Sequence, residues 1–280
     1  MDAISVATEA AHKAGDLILR HFRQPLEIHM KGPADVVTQV DHDAEDMIVR
    51  TIRAAFPEHG FLGEEGHAAL PGADYVWVID PLDGTRNYAT GVPFFCTSIA
   101  LTLRGRAVVG VIHDPLHGET FSAETGKGAY LNGARVSFAR KARLEQAILY
   151  VGFLPAHNPR DAGLAVPMLV RLRPQVEAVR NVGSAALSLA YVACGRFDIV
   201  YQDRLSAWDM LAGALLVEEA GGVATDFAGN RLSLSSQDVI AANAPAFHAS
   251  VLSMARQVLA ERKPSLGEGN DSLASEEERA

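Results

Sequence analysis

Apolar positions recur first at helical spacing and then at strand spacing along the chain. Periods of three and four predict amphipathic helices over 2–22 and over 41–55, the second ending before Pro57. Short apolar and β-branched runs then predict a mainly antiparallel sheet, with strands at 75–79, 97–103, 107–113 and 119–123. The first half of the chain is therefore predicted to mix helices with a sheet.

The second half alternates between strand and helix patterns. The pattern predicts strands at 148–153, 176–182, 197–201 and 239–242, and helices at 162–172, 184–193, 206–220 and 246–262. Residues 263–280 are rich in Ser, Glu and Gly, which is typical of a disordered acidic tail. We expect an α/β (α+β) fold in one domain over 1–262, with an N-terminal α+β part to about 140 and a C-terminal α/β part from about 141.

Size, net charge and cysteine content exclude several classes of protein. A chain of 280 residues with 48% hydrophobic residues can bury a large core, and its net charge of −9 disfavours a nucleic-acid binder or a nuclease. Two cysteines cannot form a disulfide framework or a zinc site. Because the sequence has neither a leader pattern nor an apolar run long enough to cross a membrane, we expect a cytoplasmic protein without membrane contact.

The segment from Asp80 to Thr85 reads Asp-Pro-Leu-Asp-Gly-Thr and directly follows a buried strand pattern. Two carboxylates three residues apart can converge on one point, and oxygen ligands with open positions are what Mg²⁺ prefers. Pro81 is expected to end the strand ladder. A plain turn is the alternative interpretation, since Pro, Asp and Gly all favour turns.

Three further acidic segments allow both a structural and a chemical interpretation. Glu64 and Glu65 between glycines suit a solvated loop as well as a ligand pair. Asp209 is typical of a capping box with Ser206 at the start of a helix. Asp41 suits the cap of the helix that follows it. Gly183, between a strand and a helix pattern, suits a tight turn or a ligand contact.

Taken together, these segments resemble the inositol monophosphatase family of Mg²⁺-dependent, Li⁺-sensitive sugar phosphatases. The resemblance runs in order over roughly 3–260 and rests on these motifs: Asp35-Val36-Val37-Thr38 with Asp41, Gly63-Glu64-Glu65, Asp80-Pro81-Leu82-Asp83-Gly84-Thr85 with Asn87, Trp208-Asp209, and Glu219-Ala220-Gly221-Gly222. It implies a layered αβαβα sandwich, as in fructose-1,6-bisphosphatase, and a homodimer.

The resemblance also implies roles for individual residues around two to three Mg²⁺ ions. The implied metal ligands are Glu64, Asp80, the Leu82 carbonyl, Asp83 and Asp209. Thr85, paired with Asp41, would orient and help deprotonate a metal-activated water, and Glu65 would contact a third ion through water. The implied substrate contacts are Gly84, Thr85, Gly183, Ser184, Gln202 and Asp209.

One position departs from the family pattern. Gln202 stands where members that hydrolyse inositol phosphates usually carry a Glu that contacts sugar hydroxyls. We expect a phosphoric monoester hydrolase acting on a small phosphorylated polyol or sugar, inositol-1-phosphate first, with histidinol phosphate, fructose 1,6-bisphosphate and 3′,5′-bisphosphonucleotides as alternatives. A binding or regulatory protein that uses the fold as a scaffold is the alternative from another class.

Overall fold

The computed structural model describes residues 2–24, 28–32, 35–66, 72–152 and 164–262. The helices are α1 (Ala3–His21), α2 (Gln39–Ala55), α3 (Thr85–Thr90), α4 (Ala165–Leu172), α5 (Ala185–Ala193), α6 (Ala207–Glu219) and α7 (Pro245–Arg262). The predicted tail at 263–280 lies outside the described residues. No helix in the described ranges is both long and apolar enough to cross a bilayer.

The strands form two large sheets and a small ribbon within the described residues. They are β1 (Ile28–Gly32), β2 (Asp35–Thr38), β3 (Gly60–Gly63), β4 (Tyr75–Asp83), β5 (Cys96–Leu103), β6 (Arg106–Asp114), β7 (Glu119–Glu124), β8 (Gly128–Leu131), β9 (Ala134–Arg135), β10 (Ile148–Gly152), β11 (Ala178–Arg180), β12 (Ile199–Asp203), β13 (Val223–Thr225) and β14 (Asp238–Ala242). The order is β3-β4-β5-β6-β7-β8-β9 in one sheet and β11-β10-β12-β14-β13 in the other, while β1 pairs with β2. The predicted 107–113 and 119–123 hairpin is confirmed as β6 and β7.

Alternating side chains arrange the sheets and helices in five layers. On β4, Trp77 and Ile79 pack with α1 and α2, whereas Val76 and Val78 pack with α5 and α6 on the other face. Both faces of this strand are buried, which explains why its sequence is continuously apolar rather than alternating. The predicted αβαβα sandwich is confirmed in its first three layers by this packing.

The five-stranded sheet supplies the fourth layer. On β12, Val200 joins the core shared with α5 and α6, whereas Ile199 and Tyr201 pack with α4 and α7. Helices α5 and α6 therefore lie between the two sheets, and both faces of each helix are apolar because both are buried. The first residues of these two central helices lie at the end of β4, because the Ala186 N–H of α5 donates to Asp83 and Asp209 of α6 lies close to Asp80.

The expected end of the ladder at Pro81 is wrong. Strand β4 runs on to Asp83, which pairs with Cys96, and the register shifts between Asp80 and Asp83. Proline lacks an N–H, but its carbonyl accepts a hydrogen bond of 2.9 Å from Thr97 Oγ1, so the strand stays attached to β5. The shift is an irregularity of the kind found next to functional sites, and it brings both aspartates to the same end of the strand.

Candidate active site

Acidic residues gather where the parallel strands β3 and β4 end. Gly63 is paired with Ile79, and the Glu64 N–H donates to the Ile79 carbonyl at 3.1 Å. Because the carboxyl ends of parallel neighbours meet at one edge of a sheet, Glu64 and Asp80 are brought side by side. Their carboxyl groups are close enough for Glu64 to contribute to the raised pKa of Asp80.

Three carboxylates converge at this edge. Asp80, Asp83 and Asp209 each offer an oxygen, and these oxygens lie within 4.8 Å of one another. Asp80 is 1% exposed, and burial, followed by the charges of Glu64, Asp83 and Asp209, raises its pKa well above the ordinary value. Crowded buried acids of this kind repel one another, and a divalent cation offsets the repulsion.

Asp83 is held by a helix from the other half of the chain. Its Oδ2 accepts hydrogen bonds from Ser184 Oγ at 2.5 Å and from the Ala186 N–H at 2.7 Å, at the start of α5. Burial raises the pKa of Asp83, and the bonds from Ser184 and from the α5 backbone act against that rise. The positive end of α5 therefore favours the carboxylate form at a buried position.

Asp41 and Asp209 occupy equivalent positions on two other helices. Each is the third residue of its helix and closes a capping box, Asp41 with Thr38 on α2 and Asp209 with Ser206 on α6. The expectation that Asp41 is itself the cap is wrong, because Thr38 has the extended backbone of a cap and Asp41 accepts its N–H at 2.9 Å. The capping-box expectation for Ser206 and Asp209 is confirmed.

Thr85 connects Asp41 to the strand end. Its hydroxyl lies 3.1 Å from Asp41 Oδ1 and 2.9 Å from the Leu82 carbonyl oxygen. The Leu82 N–H donates to Asp80 Oδ1 at 3.0 Å, so one short turn aligns the carboxylate, the carbonyl and the hydroxyl. Burial raises the pKa of Asp41 to about 6, although the hydrogen bonds from Thr38 act to lower it. A pKa in this range suits a group that accepts a proton near neutral pH.

Glu65 lies beside Asp41 on the turn after β3. Its side chain is 2% exposed, and Oε2 is 3.7 Å from His42 Nδ1. Its charge contributes to the raised pKa of Asp41. Glu64, Glu65 and Asp41 are therefore brought together with the aspartates of β4 and α6.

The predicted substrate contacts lie on the α3 and α5 side. Gly84 precedes α3 with φ of 95°, and Gly183 precedes Ser184 with φ of 80°, conformations that glycine adopts without strain. Asn87 Nδ2 donates to the carbonyls of Phe94 and Val182, both at 2.7 Å, and so ties α3 to the loop before α5. Ser184 is 1% exposed and its hydroxyl is directed to Asp83, so its geometry does not support a substrate contact.

Gln202 lies on β12 opposite Gly152 of β10. The Gln202 side chain packs so closely on Gly152 that a Cβ on residue 152 would overlap the Gln202 amide. Its Oε1 is buried and has no hydrogen-bond partner within the described part of the chain. A buried acceptor of this kind is available to a hydroxyl donor.

The donor set fits hard cations. All the converging groups are carboxylates or a carbonyl, without the sulfur or imidazole that zinc prefers, and such oxygen sets suit Mg²⁺. Sequence reasoning missed one acid near this set, Glu45 on α2, which is 1% exposed. The detectable signal was its position inside the apolar stripe of α2, where an acid is unexpected.

Comparisons with known proteins find relatives of this chain in both sequence and structure. A sequence profile described as the inositol monophosphatase family matches residues 2–260. A Nus factor SuhB from Pseudomonas aeruginosa is 43% identical over 252 residues, covering 88% of this chain and 93% of the relative, and an inositol-1-monophosphatase from Mesorhizobium japonicum is 41% identical, covering 86% and 91%.

Solved structures show the same fold. The extragenic suppressor protein suhB from Bartonella henselae superposes with a TM-score of 0.84 at 38% identity, covering 90% of this chain and 98% of that one. An IMPase from Thermotoga maritima superposes with a TM-score of 0.84 at 34% identity, covering 93% and 99%.

Proposed function

Because the chain belongs to the inositol monophosphatase family, we propose that it is a Mg²⁺-dependent, Li⁺-sensitive phosphomonoesterase acting on a small phosphorylated polyol or sugar, inositol-1-phosphate first. The observation that carries the proposal is the convergence of Asp80, Asp83 and Asp209 within 4.8 Å. Glu64 and the Leu82 carbonyl complete the proposed ligand set for two to three ions. When bound, the ions supply the positive charge that a phosphate and its leaving oxygen need.

The chain's own residues supply the proton chemistry. The Thr85 hydroxyl has one hydrogen and two acceptors within reach, Asp41 Oδ1 and the Leu82 carbonyl, and the proposed reaction uses the orientation in which it donates to Asp41. In the proposed reaction Thr85 orients the attacking water, and Asp41 accepts its proton through Thr85. Glu65 acts beside them on the same water network.

The proposed substrate contacts include residues of the metal site and of the proton relay. In the proposal the N–H groups of Gly84 and Thr85 donate to the phosphate, and Asp209 and Gly183 contact the polyol. We propose that Ser184 holds Asp83 rather than the substrate, because its hydroxyl is committed to that carboxylate. Gln202 supplies its buried oxygen to a substrate hydroxyl as a neutral acceptor.

The test is phosphate release from inositol-1-phosphate, histidinol phosphate, fructose 1,6-bisphosphate and adenosine 3′,5′-bisphosphate, with and without Mg²⁺ and Li⁺. Asp83→Asn and Asp209→Asn should each abolish release, while Asp74→Asn, an exposed acid paired with Arg104, should leave it unchanged. Full activity in both site variants would overturn the metal assignment. Gln202→Glu should shift preference toward inositol-1-phosphate among the four substrates.

A second candidate function is favoured by the name Nus factor, which several relatives carry. The chain would then act as a binding or regulatory protein on the same scaffold. Binding that does not use the ions should survive Asp83→Asn, so capture of a partner by wild type and by this variant separates the two functions.

Three further expectations remain proposals. A homodimer is tested by light scattering coupled to size-exclusion chromatography. A cytoplasmic location is tested by fractionation. Independent folding of residues 1–262 as one domain, without the tail, is tested by expressing that segment and measuring its cooperative unfolding.

A further inference from the structure

Glu45 is a buried acid that none of the proposed catalytic roles uses. It lies on α2 one helical turn after Asp41, so both carboxylates project from the same face of the helix. Glu45 is 1% exposed. A carboxylate is buried this completely only where hydrogen bonds or charges hold it, so its partners indicate its purpose.

The carboxylate of Glu45 binds the backbone of the turn after β3. The Glu65 N–H donates to Glu45 Oε2 at 2.8 Å. At the other end of the same turn, the Glu64 N–H donates to the Ile79 carbonyl at 3.1 Å. The two acids of this turn are therefore fixed by consecutive N–H groups, one bound to β4 and the other to α2.

The fit between Glu45 and this turn requires a glycine at Gly63. A Cβ at Gly63 would lie 2.5 Å from Glu45 Oε1 and would collide with the rest of the carboxyl group as well. The φ of Gly63 is not in the left-handed region, so the glycine is needed for space and not for backbone conformation. The glycine therefore leaves room for the carboxylate to reach the N–H of Glu65.

We propose that Glu45 is a positioning residue that locks the turn from Gly63 to Glu65 and thereby aims Glu64 and Glu65 at the cation site. This inference rests on the proposed function. The side chain acts through the backbone of the turn, because its oxygen accepts the Glu65 N–H, and a buried N–H left without an acceptor destabilises the turn. Groups that orient metal ligands typically change metal affinity by about tenfold to a hundredfold when they are removed.

The experiment compares Mn²⁺ binding, measured by titration calorimetry, in wild type, Glu45→Ala and Glu45→Gln. Glu45→Ala should bind Mn²⁺ about tenfold to a hundredfold more weakly, because the turn loses its anchor. Glu45→Gln keeps an acceptor oxygen at the same reach and should recover most of the affinity. Asp46→Asn, an exposed acid on the same helix, is the matched control and should bind as wild type does.

A second pair of variants tests the geometry without relying on one substitution. Gly63→Ala should weaken Mn²⁺ binding in the wild-type background, because its Cβ displaces the carboxylate. In the Glu45→Ala background the same change should have much less effect, because the space is then open. Thermal unfolding of each metal-free variant shows that the fold is retained.

The outcomes distinguish failure of the metal assignment from failure of the role proposed for Glu45. If wild type binds no Mn²⁺, the metal assignment is overturned and the role of Glu45 with it. If wild type binds Mn²⁺ and folded Glu45→Ala binds it equally well, only the role of Glu45 is overturned. Equal losses for Gly63→Ala in both backgrounds would likewise contradict the contact, and failure of Glu45→Gln to recover affinity would show that an acceptor at this position is not what matters.

Discussion

Replacing Asp41 by Asn should stabilise the metal-free protein at neutral pH while strongly lowering the proposed phosphatase activity. Burial raises the pKa of Asp41 from 3.8 to about 6. Because the folded protein holds this proton more tightly than the unfolded chain does, stability decreases as the pH rises between these two values. The rise in pKa corresponds to about 3 kcal/mol of destabilisation at neutral pH.

Asparagine can keep the contacts of Asp41. The asparagine oxygen can accept the Thr38 N–H, as Asp41 Oδ2 does in the wild type. The asparagine NH₂ group can donate to Thr85 Oγ1, and the Thr85 hydroxyl can then donate to the Leu82 carbonyl. The variant therefore keeps most of the hydrogen bonds of Asp41, and it no longer has to bury a charged carboxylate at neutral pH. Phosphate release should nevertheless fall by about a hundredfold or more, because the proposed proton acceptor is gone.

The assay is urea unfolding in EDTA, followed by circular dichroism, from about pH 4 to about pH 7. The unfolding free energy of Asp41→Asn minus that of wild type should increase over this range by up to about 3 kcal/mol. Asp46→Asn is the control on the same helix. A difference that stays constant with pH, or unchanged phosphate release, would refute the reasoning.

Three other perturbations test neighbouring features. Ser184→Ala removes the cap of α5 and a donor to Asp83, so the unfolding free energy should fall by about 1 kcal/mol, and an unchanged urea midpoint would contradict this. Gly183 has φ of 80°, and a Cβ there would lie 2.9 Å from Asn87 Nδ2, so Gly183→Ala should lower the unfolding free energy by about 1–2 kcal/mol and raise KM. Wild-type kinetics in this variant would contradict a role for the turn in substrate binding. Burial, followed by the charge of His12, lowers the pKa of His113 from 6.5 to about 4, so stability should rise with pH between these values by up to about 3 kcal/mol. His113→Gln should flatten that dependence in urea unfolding, and an identical slope in wild type and variant would exclude His113 as its source.

The sequence predicted the elements whose apolar periodicity is long. Helices α1 and α2 and the β6–β7 hairpin lie close to their predicted positions, because each buries a continuous stripe or face. Helix α6, apolar on both faces, was recognised instead by its length between Ser206 and Gly221. The short elements β3, β9 and β13 were not predicted, since two to four residues carry too little periodicity to be recognised. Their existence depends on pairing with neighbours that the sequence does not identify.

The site shows the same division between local and tertiary information. The motif from Asp80 to Thr85 is local and could be recognised as a cation-binding candidate. The extension of β4 through Pro81 could not, because it depends on Thr97 of the neighbouring strand. Glu45 was missed because its partner, the Glu65 N–H, is 20 residues away in sequence.

The bond between Asp83 and the start of α5 joins residues 101 and 103 positions apart. Together with Asp209, it means that the carboxylates of the proposed metal site come from segments on both sides of the chain's midpoint. An ion bound there would cross-link these segments, so it would raise the free energy of global unfolding and not only that of a single loop. During synthesis, the chain gains the complete ligand set only after α6 has left the ribosome and docked. A chain that ends before α6 lacks Asp209 and would therefore hold the proposed ion less tightly than the full chain does.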